Sequence, residues 1–286
     1  MQRQISEADY RDFQRFLEEA SGILLGENRH YLVASRLHRL LEECGLPSVG
    51  DLLVRLRREG RGELYNRTVD AMTTNETLWF RDIHPYEMLK DVILPEFVRG
   101  EARRLAVWSA ACATGQEPYS ISMVVEEFLS NHPRALPNGV SILATDISGR
   151  VLDEARRGVY DAVTLARGLS PERRERFMRP VTTKTGQAWE IRPEVRSRVT
   201  FREINLIQPL IGIGRFDILF CRNILIYFSS DLKRTLLSRL HGALNPKGYL
   251  ILGASESIAG VSDHFTMVHA GRSVMYRALP PRITPR

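Results

Sequence analysis

The chain has 286 residues, 43% hydrophobic and 26% charged, enough to bury a substantial core in one large domain or two smaller ones. No apolar run approaches the ~20 residues of a membrane span, and the opening MQRQISEADY lacks the apolar region and cleavage site of a secretory signal, so a soluble, cytoplasmic protein is expected. The net charge of +6 favours an acidic partner, whether nucleic acid, membrane surface or protein, while three widely spaced cysteines in apolar context (Cys44, Cys112, Cys221) point to buried free thiols rather than a disulfide framework or zinc site.

Residues 1–72 read as an all-α helical domain. Ser6, three residues ahead of Asp9, is a capping-box-like start for a helix carrying Tyr10, Phe13, Leu17 and Ala20 at helical spacing. Val33, Leu37, Leu40, Leu41 and Cys44 form a second apolar stripe, stopped by Gly45 and Pro47. Arg29, Arg36 and Arg39 recur at seven and three residues, which places them on one basic face of that helix. Such a face is either solvated surface or a docking face for an acidic protein or nucleic acid, and the spacing fits both. Residues 73–100 read as a linker and connecting helix.

From residue 105 apolar strands alternate with helices. Strands are expected at 105–111, 140–147, 199–204, 216–221 and 249–252, the last after an Asn245-Pro246-Lys247-Gly248 turn. Helices are expected at 118–129, with Pro118 in the first turn, after Ser148, which can cap Val151, Leu152 and Ala155, and at about 230–244. This alternation implies an α/β domain (101–286) with a parallel, doubly wound sheet, whose ligands bind at the carboxyl ends of the strands. Two short, polar, β-prone runs, 179–185 and 187–192, separated by Gly186, read as a small antiparallel insertion at about 179–198.

The strand ends carry the chemistry. Asp146, ending the second strand, is placed to accept hydrogen bonds from two ribose hydroxyls, although a carboxylate beside a helix start near Ser148 needs no ligand. The stretch VWSAACATGQEPYS supplies small residues beside the first strand but no G-x-G-x-x-G, which argues against a dinucleotide pyrophosphate. S-adenosylmethionine has no phosphate; it needs room, a ribose acceptor and an anion for its ammonium, and Glu117 can supply the last.

TTNETLWFR (73–81), WSAACATGQEPYS, ATDIS, REINL and FCRNILIYF, in this order and spacing, resemble the motifs of the bacterial chemotaxis receptor methyltransferases, the CheR family, and the resemblance runs over essentially the whole chain. It implies S-adenosylmethionine-dependent methylation of glutamate side chains on the cytoplasmic domain of chemoreceptors, by a cytoplasmic protein recruited to membrane receptor arrays. It also implies a helical N-terminal domain, a connecting segment and a Rossmann-like methyltransferase domain bearing a β-subdomain. Carried over by position, it assigns cofactor contacts to Asn75, Thr77, Arg81, Glu117, Asp146, the pair Asn205-Leu206 and the pair Asn223-Ile224. Without it, Asn75 and Thr77 read as a polar turn between domains. Trp79 falls at an aromatic position of the family, and Cys112 and Gln116 depart from its alanine- or glutamate-containing forms without changing a charged group.

A glutamate carboxylate, with an ordinary pKa of about 4.3, is ionised at neutral pH and attacks a sulfonium methyl without a general base, so no catalytic His, Cys or metal is called for. Arg81 is then suited to steer the acceptor carboxylate and the Tyr227 hydroxyl to position it, although an IYF run also suits core packing. Arg29, Arg36 and Arg39 become candidates for docking the acidic receptor helices, and no nucleic-acid partner is expected. A nucleic-acid methyltransferase would call for a D/N-P-P-Y/F motif where this chain has CRNILIYF, and a non-catalytic cofactor-sensing or docking module would lose Arg81 or Tyr227, both of which are present.

Overall fold

A computed structural model describes residues 5–100, 104–184, 186–270 and 273–280. Four helices come first, α1 (Glu7–Ser21), α2 (His30–Glu43), α3 (Val49–Glu59) and α4 (Glu63–Met72). Ser6 caps α1 by accepting the Asp9 backbone N–H at 3.1 Å, and Ser48 caps α3 in the same way through Asp51. The apolar stripes meet in one cluster that holds Tyr10, Phe13 and Leu17 of α1, Val33, Leu37, Leu40 and Leu41 of α2, and Leu52 and Leu56 of α3. Burying each such side chain contributes about 1.5–3 kcal/mol, so packing rather than helix propensity holds this bundle. Cys44, expected to be buried, is half-buried at the end of α2.

Residues 73–78 have no regular structure. After a tight turn, α5 (His84–Met88), a π-helical turn (Leu89–Ile93) and α6 (Leu94–Val98) form one run. Pro95 cannot donate a backbone hydrogen bond to the preceding turn, and the wider π turn stands directly before it.

The second unit contains β1 (Leu105–Ala110), α7 (Gln116–Asn131), β2 (Val140–Asp146), α8 (Gly149–Arg157), β3 (Val159–Tyr160), α9 (Ala162–Ala166), α10 (Pro171–Phe177), β4 (Met178–Thr183), β5 (Gly186–Ile191), α11 (Pro193–Arg196), β6 (Val199–Glu203), β7 (Phe216–Cys221), α12 (Ser230–Gly242), β8 (Leu244–Leu252), β9 (Phe265–Ala270) and β10 (Ser273–Ala278). The main sheet has the order β6-β2-β1-β7-β8-β10-β9. β1 runs parallel to both β2 and β7, with Ala110 level with Thr145 on one side and Cys221 on the other. Strand order therefore reverses at β1, and a crevice opens beyond its carboxyl end. Helices cover both faces there, which is why FDILFC is buried throughout and LAVWSA at every position but Ala106.

Three expectations are corrected. The sheet is parallel from β6 to β8 only, because β10 pairs antiparallel with β8 and β9. The sequence carries no signal for this hairpin: Met275 and Tyr276 are both buried, so β10 lacks the alternation that marks a half-exposed strand. The insertion does contain the antiparallel pair, β4 with β5 from Met178↔Ile191 to Thr183↔Gly186, but β3 adds to β5 and makes three strands, so the small sheet begins at Val159 rather than 179. Gly186 has φ 118°, which only glycine adopts readily; Thr185 lies outside the described residues. The expected turn at residues 245–248 is absorbed into β8 as an irregularity, where the register shifts opposite Phe216 and Ile218.

Candidate active site

A cavity of about 300 Å³ lies at the strand-order reversal, and it is bordered by Asn75, Thr77 and Arg81 from the linker and by Glu117, Asp146, Asn205, Leu206, Asn223, Ile224 and Tyr227 from the sheet domain. All ten residues named for cofactor or reaction thus surround one space. Arg29 and Arg36 border it as well; Arg39 does not.

One wall comes from an unexpected quarter. Ser21 at the end of α1 and Ile23, Leu24 and Leu25 between α1 and α2 border the cavity. Leu24 N–H donates to the Tyr227 carbonyl at 2.9 Å, and Asn205 Nδ2 donates to the Ala20 carbonyl at 2.8 Å. Gly22 ends α1 with φ 77°, and a Cβ there would stand 2.5 Å from Leu232 Cδ2, so the approach requires glycine. No local period marks such contacts between distant segments.

Asp146 ends β2 and is buried. Its Oδ2 accepts the Ala113 backbone N–H at 2.9 Å and its Oδ1 that of Ser148 at 3.0 Å. Burial raises its pKa above the ordinary carboxylate value, against the lowering effect of these N–H groups. It therefore organises the start of α8 and borders the cavity at once, with a further acceptor site on each oxygen.

Glu117, in the first turn of α7, is not a free anion. Ser109 Oγ donates to its Oε1 at 2.8 Å and Arg222 Nη1 to its Oε2 at 3.0 Å. Burial raises its pKa, and Arg222 and Ser109 oppose that shift. Arg222, to which the sequence assigns no role, also donates through Nη2 to the Arg81 carbonyl at 2.7 Å and to Asp82 Oδ2 at 2.6 Å. The signal was available: an arginine at the carboxyl end of an all-buried strand has little route to water and needs partners.

Arg81 sits in a strained turn. Phe80, Asp82 and Ile83 have φ of 49°, 66° and 52°, conformations that cost about 1–3 kcal/mol each and persist where surroundings over-determine them. Those surroundings are present. Trp79 N–H donates to the Arg167 carbonyl, Phe80 N–H donates to Ser120 Oγ, and the Arg173 guanidinium lies 3.7 Å from the centre of the Phe80 ring. Arg81 itself is partly exposed at the cavity edge and donates to the Glu76 carbonyl at 3.0 Å.

The continuous basic face on α2 is broken. Arg29 precedes the helix as its N-cap. Arg36 turns onto the linker, donating to the Met72 and Thr73 carbonyls at 2.5 and 3.1 Å and to Thr74 Oγ1 at 3.0 Å. Arg39 is exposed and pairs with Glu43 at 2.6 Å. Asn75 donates to Thr73 Oγ1 at 3.2 Å, and Tyr227 is half-buried in a 3₁₀ turn. Asn223 has φ 59°, its loop held by Glu256, which accepts from the N–H groups of Asn223, Leu225 and Gly253. Burial pushes the Cys112 and Cys221 thiols well above their ordinary range, so neither is a reactive thiolate.

These residues fit S-adenosylmethionine. Asn223 Oδ1 is buried without a partner in a residue that borders the cavity, as an acceptor awaiting a ligand donor would be, and two carboxylates, Asp146 at the end of β2 and Glu117 at the start of α7, border the same space. Among the described residues no helix is long and apolar enough to cross a membrane.

The CheR methyltransferase all-alpha domain matches residues 8–73, and the CheR methyltransferase SAM binding domain matches residues 75–274. The chain is 50% identical over 271 residues to the chemotaxis protein methyltransferase Cher2 of Pseudomonas putida, covering 94% of this chain and 98% of that protein. It is 49% identical over 272 residues to chemotaxis protein methyltransferase 1 of Pseudomonas aeruginosa, covering 95% and 98%, and 32% identical over 265 residues to the chemotaxis protein methyltransferase of Escherichia coli, covering 92% and 89%. With both of the family's domains matched in order and the cavity built at their junction, the chain belongs to the CheR family and is an S-adenosylmethionine-dependent methyltransferase.

Proposed function

We propose that this protein methylates specific glutamate side-chain carboxylates on the cytoplasmic domain of chemoreceptors, forming glutamyl methyl esters and S-adenosylhomocysteine. The observation that carries this reading is the placement of Arg81: a partly exposed guanidinium at the mouth of the cavity, on a turn fixed from several sides. Asn75, Thr77, Glu117, Asp146, Asn205, Leu206, Asn223 and Ile224 hold the cofactor. When bound, it supplies a methyl group on a sulfonium centre. Arg81 orients the acceptor carboxylate with its planar fork, and the Tyr227 hydroxyl helps to place it. Neither grips it tightly, because a strong ion pair would stabilise the ground state. The acceptor is ionised at neutral pH, so these residues need only align it and, with Ile23, Leu24, Leu25 and Ile224, exclude water.

The helical domain at 1–72, the linker and connecting helix at 73–100 and the methyltransferase domain at 101–286 divide this work, with the exposed Arg39 meeting the receptor and Arg29 and Arg36 at the border of the cavity. The protein acts in the cytoplasm, recruited to receptor arrays. Transfer of radiolabelled methyl groups to a receptor cytoplasmic fragment, released by alkali as volatile methanol, tests the reading. Alkali-stable label, or label in nucleic acid alone, would overturn it.

A further inference from the structure

Phe80, Asp82 and Ile83 form the densest run of left-handed non-glycine residues among those described, and Arg81 lies inside it. Arg222 holds this turn immediately after the Arg81 Cα, donating to the Arg81 carbonyl at 2.7 Å and to Asp82 Oδ2 at 2.6 Å. Its other terminal nitrogen donates to Glu117 Oε2 at 3.0 Å. The Arg222 side chain is 2% exposed, against 34% for Asp82. Glu117 borders the cavity; Asp82 does not. One buried cation is therefore divided between a carboxylate on the cofactor side and another on the turn that aims Arg81. A lysine has no fork with which to bridge the two.

We infer that Arg222 is a positioning residue that couples cofactor binding at Glu117 to the placement of Arg81. This deepens the function proposed above and rests on it. A ligand ammonium that shares Glu117 takes part of that carboxylate's interaction away from Arg222. The guanidinium then bonds more strongly to Asp82 and the Arg81 carbonyl, and the turn tightens. Coupling between two sites is reciprocal, so neutralising Asp82 leaves Arg222 more firmly on Glu117 and opposes the ligand.

Asp82→Asn tests this at a partly exposed position outside the cavity. Calorimetry with S-adenosylhomocysteine, which keeps the ammonium, is expected to show affinity reduced by about fivefold or more. Turnover at saturating cofactor is expected to fall about tenfold or more, with thermal stability near that of the parent. In an Arg222→Lys background the same Asp82 change is expected to leave affinity within about twofold, because the bridge is already gone. Unchanged affinity in Asp82→Asn, or equal losses in both backgrounds, would overturn the coupling.

Should Arg222→Lys fail to fold, hydrogen exchange supplies the second measurement. Added S-adenosylhomocysteine is expected to protect residues 79–83 in the parent and not in Asp82→Asn, and equal protection in both would sink the proposal. The calorimetric cycle needs no methyl acceptor, so failure of receptor methylation and failure of the coupling are read separately.

Discussion

Asp146→Asn removes a charge while keeping the shape of the side chain at the end of β2. In the parent both carboxylate oxygens accept backbone N–H groups, from Ala113 at 2.9 Å and from Ser148 at 3.0 Å. An amide has only one acceptor oxygen, so one of these buried donors loses its partner, at a cost of about 1–3 kcal/mol in stability. For a chain of this size that is a fall of roughly 2–4 °C in Tm per kcal/mol. Binding suffers separately. A hydrogen bond from a ribose hydroxyl to a charged acceptor contributes about 1.5–3 kcal/mol, which at about 1.4 kcal/mol per tenfold is an affinity loss of about 10- to 150-fold. Asp146→Ala would orphan both N–H groups and mix the two effects. Calorimetric titration of Asp146→Asn with S-adenosylhomocysteine, below its measured Tm, gives the binding loss, and a smaller ligand-induced rise in Tm than in the parent corroborates it. Unchanged affinity in a folded Asp146→Asn protein would remove this carboxylate from the cofactor site.

Arg81→Lys is expected to lower methyl ester formation about a hundredfold with near-normal unfolding, because a point charge misplaces the acceptor carboxylate; near-normal turnover at saturating receptor and cofactor would refute a steering role. Charge reversal at Arg39 is expected to slow receptor methylation, chiefly at low salt, and to spare cofactor affinity, whereas reversal at Arg36 also weakens cofactor binding by releasing the linker carbonyls of Met72 and Thr73. Equal effects of the two on calorimetric affinity would count against this division. Cofactor affinity is expected to decline as pH falls, since Glu117 and Asp146, both raised by burial, take up protons at a higher pH than ordinary carboxylates and the protonated forms lose the ligand's ammonium or ribose interaction. The decline should begin above the ordinary value of about 4.3, and affinity flat down to that pH would show that neither group must be ionised.

Local patterns carried much of this protein in its sequence. The caps at Ser6 and Ser148, the stripe Val33–Leu37–Leu40–Leu41 and the strand-end position of Asp146 are all set by residues within one or two turns of each other, where spacing alone dictates which side chains share a face. The ordered motifs added the family and its cofactor. What the sequence could not disclose are partnerships across long separations. Arg222 meets Glu117 at 105 residues and Asp82 at 140, Asn205 reaches Ala20 across 185, and Arg36 spends its charge on a linker 36 to 38 residues away. None of these leaves a period, because each joins segments that only the folded chain brings together: strand end to helix start for Arg222 and Glu117, sheet domain to helical bundle for Asn205 and Ala20. The same holds for β10, where Met275 packs into one core cluster and Tyr276 into the other, so burial on both faces erases the alternation that would have marked the strand. Residue types and their placement at the strand ends were decided by the sequence; which carboxylate shares its charge with which cation was decided only when the chain closed around the cavity and left those groups no water to turn to.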